Sequence, residues 1–211
     1  RWDKALTAFA QAAAIGVALG DLQRQAKAAN NRGYVYYWLQ RWDEARASYE
    51  AAAAAYESVD DVIHATSARV NLCRVLHRQG QTEQALTLIR QLEPLARQLS
   101  DRVWLAHILN SQGVFLAALG REEEAITVYE QAAEIHLANG DRQAAAQTFI
   151  NLATRWLDMG HHEASQACLR QARDLLRSLD GPPGWLVRQY DDVLARCGLT
   201  GRPEWQLRPA T

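Results

Sequence analysis

The chain has little proline, little cysteine and no surplus of either charge, and each shortage excludes something. Five prolines in 211 residues, two of them adjacent at Pro182–Pro183, leave long stretches without a helix breaker and point to one helical body. Three cysteines, Cys73, Cys168 and Cys197, are an odd number without metal-ligand spacing. That argues against a disulfide framework and for a reducing, cytoplasmic setting. Lys and Arg number 23 against 24 Asp and Glu, so the cationic surplus that drives bulk nucleic-acid binding is missing. No apolar run approaches the roughly 18 residues of a membrane span. A Gly-rich phosphate loop, a Gly-x-Ser-x-Gly elbow and a His-Glu-x-x-His helix are all missing, so no cofactor, metal or catalytic residue is expected.

What the chain does have is a repeat. Cut after every fortieth residue, its segments align without a gap from Arg1, Arg41, Gln81, Arg121 and His161. The third place is acidic: Asp3, Asp43, Glu83, Glu123, Glu163. The fifth is small (Ala5, Ala45, Ala85, Ala125, Ser165) and the ninth large and apolar (Phe9, Tyr49, Ile89, Tyr129, Leu169). The twelfth holds Ala12, Ala52, Leu92, Ala132 and Ala172. Steps of four and three put the fifth, ninth and twelfth places on one helical face. The acid falls in the first turn, where the positive end of the helix dipole favours it.

Halfway through each unit stands a break: Gly20-Asp21, Asp60-Asp61, Ser100-Asp101, Gly140-Asp141 and Asp180-Gly181. In the first four, Asp is placed to cap a second helix. Gly80, Gly120 and Gly160 stand where that helix should end in a left-handed residue. Gln40 and Thr200 interrupt this column, so those two turns are expected to be made differently. The unit is then helix, turn, helix, turn, with helices of about 18 residues, roughly 27 Å long. Pairs so rich in alanine must stack to bury their faces, which predicts an all-α solenoid of five units over residues 1–200 and a tail over 201–211. The first unit opens directly on its second helix, from which a longer parent array is expected.

These columns resemble the tetratricopeptide repeat. Its aromatic–glycine–alanine pattern can be read from Asn71-Leu72, or from Asn151-Leu152-Ala153 through Gly160. It continues over Trp42, Ala45, Tyr49 and Ala52, or over Ala125, Tyr129 and Ala132. The usual unit is shorter, and 40-residue variants occur in kinesin light chains, peptide-sensing regulators and transcription activators. The resemblance implies a right-handed superhelix whose first helices line a concave groove.

Carried onto this chain, that groove takes Lys27, Asn30, Tyr34, Tyr37 and Trp38 from the first pair and Asn71, Arg74, His77 and Arg78 from the second. Ser67 and Val70 belong to the same columns, as do His107 and Asn110 in the third pair and Gln147 and Ile150 in the fourth. Large aromatic side chains anchor interfaces at low entropic cost, and paired guanidiniums hold carboxylates or phosphates; the alternative is that the aromatics pack between helices. Asn30, Asn71 and Asn110 are candidates to bind an extended backbone. The two-carboxylate clamp of chaperone-binding relatives is not matched, because His107 and Ser111 stand where Lys and Arg are needed.

The implied function is a scaffold that binds another protein, a peptide or a domain of the same parent chain, without nucleic acid or membrane. The alternative is a sensor for a small ligand or signalling peptide. Uncovered array ends leave self-association open. Cys73 with His77, four apart, reads as structural before catalytic, His161-His162-Glu163 as a polar turn, and Glu122–Glu124 as a solvated first turn. Trp205 and Leu207 in the tail either cap the last pair or belong to a linker.

Overall fold

A computed structural model describes residues 2–98 and 102–199. Among them are ten helices and no strand. In chain order these are α1 (Trp2–Leu19), α2 (Leu22–Trp38), α3 (Trp42–Glu57), α4 (Val62–Arg78) and α5 (Thr82–Gln98). After them come α6 (Arg102–Ala118), α7 (Glu122–Ala138), α8 (Arg142–Asp158), α9 (His162–Arg177) and α10 (Gly184–Arg196). The helix pairs are those read from the forties, and the fold is all-α, a solenoid of stacked neighbouring helices. The turn at Ser100-Asp101, the break at Thr200 and the tail with Trp205 and Leu207 lie outside the described residues. The chain divides into two compact units, Arg1–Leu95 and Ala96–Thr211. The division falls inside α5, one residue after Pro94, which cannot donate to the helix ladder.

Local chemistry explains where the helices begin and end. The carboxylates of Asp21, Asp61 and Asp141 accept from the backbone N–H groups of Arg24, His64 and Ala144, at 2.8, 3.2 and 3.0 Å. Helices α4, α6 and α8 close through Gly80, Gly120 and Gly160, all at positive φ, and the N–H beyond each glycine reaches back to Leu76, Leu116 or Trp156. The turn at Gln40 is not made differently: Gln40 takes φ 58°, and Arg41 N–H closes on Tyr36 at 2.9 Å. Asp60 does the same at φ 56°, where Gly20 and Gly140 stand in other units. The hydrogen-bonded turn outweighs the steric cost of a β-carbon there.

In Arg1–Leu95, α2 packs on α1 and α3, and α3 on α4. The core holds Ala26, Ala52, Ala53, Tyr56, Ala65 and Ala68, with a second cluster at Ala45, Tyr49 and Val75. In Ala96–Thr211, α7 packs on α6 and α8, and α9 on α8. Its core gathers Ile150, Leu169, Leu176, Leu186, Tyr190 and Val193 with the alanines of α8 and α9. The fifth, ninth and twelfth columns are buried in α3, α5, α7 and α9. Where serine replaces alanine, at Ser165, its hydroxyl donates to the Ala153 carbonyl at 2.8 Å. In α1 the same columns, Ala5, Phe9 and Ala12, are only half-buried.

One dimension of the packing has no counterpart among those columns. A β-carbon on Gly33 would come within 2.8 Å of the Tyr49 ring, and one on Gly113 within 2.6 Å of the Tyr129 ring. Each tyrosine of the ninth column therefore lies directly on the backbone of the preceding helix.

Candidate functional site

In the first unit, α2 and α4 carry nine of the residues assigned to the groove. Neither helix contains an Asp or Glu. Steps of three and four along α2 bring Tyr34, Tyr37 and Trp38 together. Trp38 meets Tyr34 and Tyr37 edge-on at 6.1 and 6.0 Å, and Tyr37 meets Trp42 at 5.4 Å. Tyr34 and Trp38 are 53% and 56% exposed, too much for side chains that simply pack between helices. Arg78 Nε on α4 donates to the Tyr37 hydroxyl at 3.3 Å, tying the cationic helix to the aromatic one. Arg74 and Lys27 are exposed. Trp42 joins this cluster from the start of α3, and as a family-pattern aromatic it was open to recognition from its spacing alone.

The amides differ from one another. Asn71 is half-buried. Asn30 is also half-buried, and its carbonyl oxygen is enclosed without a hydrogen-bond partner among the described residues. Val70 and Ile150, from Asn30's own column, are buried at 4% and 0%, so the apolar members of that column belong to the core and not to a groove. The column points between helices, and only its polar members stay partly exposed.

Cys73 is fully buried, and loss of solvent pushes its thiol up to about 12, far from a reactive thiolate. His77 Nδ1 lies 3.1 Å from the Thr82 hydroxyl, and burial together with the Arg78 charge lowers its pKa. These two residues form no nucleophile–base pair.

In the second unit, His107 is half-buried on α6, with ring contacts to Trp104 at 5.9 Å and His136 at 5.2 Å. The Asn110 carbonyl accepts from the Thr148 hydroxyl and the Asn151 amide, each at 3.3 Å. Gln147 extends that network to Asn151 at 3.2 Å and Gln189 at 2.8 Å. Asn110 thus joins α6 to α8 through the oxygen that a bound peptide would need. Glu122 is not simply solvated, because Arg155 on α8 reaches it at 3.2 Å, while Glu124 pairs with Arg121 at 2.6 Å. His161 stands at the N-cap of α9 against the Trp156 ring, and His162 and Glu163 are exposed.

Among the described residues no helix is long and apolar enough to cross a membrane, and no three His, Cys, Asp or Glu side chains cluster to hold a metal. No curated protein is significantly similar in sequence. Solved structures share the fold. BtubC (BKLC) from P. vanneervenii superposes with a TM-score of 0.78 at 13% identity, over 94% of this chain and 85% of that one. The apo form of RapI gives 0.76 at 14% identity, over 92% and 77%. A Rap protein complexed with competence and sporulation factor gives 0.63 at 18% identity, over 84% and 54%. The tetratricopeptide repeat profile matches residues 24–98 and 104–178, each stretch covering four consecutive helices. With well over half its length so matched, the chain belongs to the tetratricopeptide repeat family.

Proposed function

We propose that the protein is an interaction scaffold whose first unit, Arg1–Leu95, captures a segment of another protein on the exposed face of α2 and α4. The carrying observation is the cluster of Tyr34, Tyr37 and Trp38, two of its rings more than half exposed and one bonded to Arg78. Such side chains bring large apolar area with few rotors to freeze, and edge contacts hold them in place before a partner arrives. Arg74 and Lys27 add cationic donors for a carboxylate or phosphate on that partner. The likeness to a Rap protein complexed with competence and sporulation factor supports a signalling segment as the occupant, in which case the unit acts as a sensor within a larger parent.

The test is affinity capture with the wild-type chain beside two double variants, Arg74→Glu/Arg78→Glu and Tyr34→Ala/Trp38→Ala. Loss of the same captured proteins from both variants supports the assignment. Identical capture by all three removes the groove from this face. The sensor reading further requires one saturable ligand in place of a set of proteins.

A further inference from the structure

On α2 and α3 an open notch of about 200 Å³ is lined by Ala29, Arg32, Tyr36, Glu44, Ala47, Ser48 and Ala51. These residues lie apart from the aromatic cluster, and the repeat shows why space is left. Ser48 stands in the column of Ala8, Leu88, Val128 and Cys168; Ala51 in that of Gln11, Gln91, Gln131 and Gln171; Ala29 in that of Arg69, Leu109 and Phe149. Three neighbouring columns are smaller in the same unit than in those that follow.

Two polar groups of the notch wall can donate to a ligand. Ser48 is only 6% exposed, yet among the described residues its hydroxyl has no hydrogen-bond partner, not even the carbonyl one turn back that Thr66, Ser111 and Thr148 use. Arg32 is half-buried and among the described residues pairs with no carboxylate; its guanidinium lies 6.0 Å from the Tyr36 ring. The other half-buried arginines, Arg46, Arg69, Arg121, Arg155 and Arg173, each pair with an acid at 2.6–3.2 Å. A guanidinium at the notch wall that pairs with no carboxylate can take an anion from outside. Glu44 does not supply one, because it is held by Arg41 at 2.5 Å. With Arg32 and Arg41 against Glu44, the notch keeps one positive charge in surplus.

We propose that this notch binds a compact monocarboxylate. The antiparallel register of α2 and α3 sets Arg32 across from Ser48, so both donate to the ligand's carboxylate. The methyl groups of Ala29, Ala47 and Ala51 and the edge of Tyr36 receive a short branched chain or a single ring. A volume below the roughly 300 Å³ of sites for drug-sized ligands restricts the body to that size. The carboxylate belongs either to a free acid or to the C-terminus of a short chain, and neither depends on the α2–α4 face.

The experiment is an amide NMR titration of the whole chain with benzoate, with its neutral isostere benzamide, and with N-acetyl-alanyl-leucine. Benzoate is expected to shift the amides around Ala47–Ala51 saturably, with benzamide at least about tenfold weaker, as loss of a charge-assisted pair demands. Arg32→Gln and Ser48→Leu should each weaken benzoate by a similar factor. The second substitution keeps the fold, since leucine occupies that column at Leu88. Tighter binding of the dipeptide than of benzoate assigns the site to a chain terminus; the reverse order assigns it to a free acid. Absence of a saturable response from the wild type to either carboxylate, or undiminished binding by both variants, overturns the proposal.

Discussion

Gly113 decides how near α7 lies to α6. A β-carbon there would sit 2.6 Å from the Tyr129 ring, while the same two columns one unit later hold Ala153 and Leu169. Glycine with tyrosine and alanine with leucine are two solutions to one volume problem. Gly113→Ala gains about 1 kcal/mol in helix propensity but incurs about 1–3 kcal/mol of overpacking, so a net loss is expected. Gly113→Ala/Tyr129→Leu should recover most of it, giving a coupling of at least about 1 kcal/mol in urea unfolding. Purely additive effects would refute the volume account. His136 makes a different prediction. It is 1% exposed, its Nδ1 has no hydrogen-bond partner among the described residues, and burial, helped by His107 and opposed by Asp141 at 3.9 Å, lowers its pKa to about 4. The unfolded chain, with an ordinary histidine near 6.5, takes up that proton first as pH falls. Stability should therefore be full above about pH 6.5, decline towards pH 4 and level off below, by a total on the order of 3 kcal/mol from this group. Unfolding of His136→Phe across the same range should lack that component; an unchanged slope would assign it elsewhere.

At the scale of the helix, turn chemistry repeats even where sequence does not. Replacing Asp21, Asp61 or Asp141 by Ala removes the side-chain acceptor of a helix start and should cost about 1 kcal/mol each in unfolding free energy. Gln40 is the reverse case, because its positive φ strains a residue that carries a β-carbon. Gln40→Gly should stabilise by about 1 kcal/mol, and Asp60→Gly by less, since Asp tolerates that conformation better. If Gln40→Gly destabilises, the turn is not held in the left-handed form. These elements were legible because capping and burial are local, periodic demands that residues at fixed spacing must meet. The tyrosine-on-glycine contacts were not, because they join two columns of which only one had been read. At the site, Tyr34 and Trp38 are exposed, whereas Val70 and Ile150 are buried and Asn110 is bonded to α8, which shows the limit of columns. Whether a side chain points out or between helices depends on the neighbour's size, which periodicity does not carry. The notch at Ser48 was hidden for a related reason, since it arises from what three columns lack.

For the molecule as a whole, the balanced charge is an average over unlike helices. α2, α4 and α6 hold no Asp or Glu, while α3, α5 and α7 each hold two or more glutamates. A partner that binds through α2 and α4 therefore meets Lys27, Arg74 and Arg78 with no acid on those helices to offset them, and it should itself be anionic. Exposed charges of this kind act over about 10 Å at 0.1 M salt and about 3 Å at 1 M. Retention of the captured partner should then fall steadily as salt rises. Arg74→Gln/Arg78→Gln should weaken binding at low salt and flatten that dependence, because the charges that salt screens are gone. Tyr34→Ala/Trp38→Ala should weaken binding at every salt concentration with the dependence intact, since apolar burial is not screened. Two variants that differ in slope as well as in strength separate the cationic contribution from the aromatic one. A partner retained equally at low and high salt would mean that the acid-free helices are not what it binds.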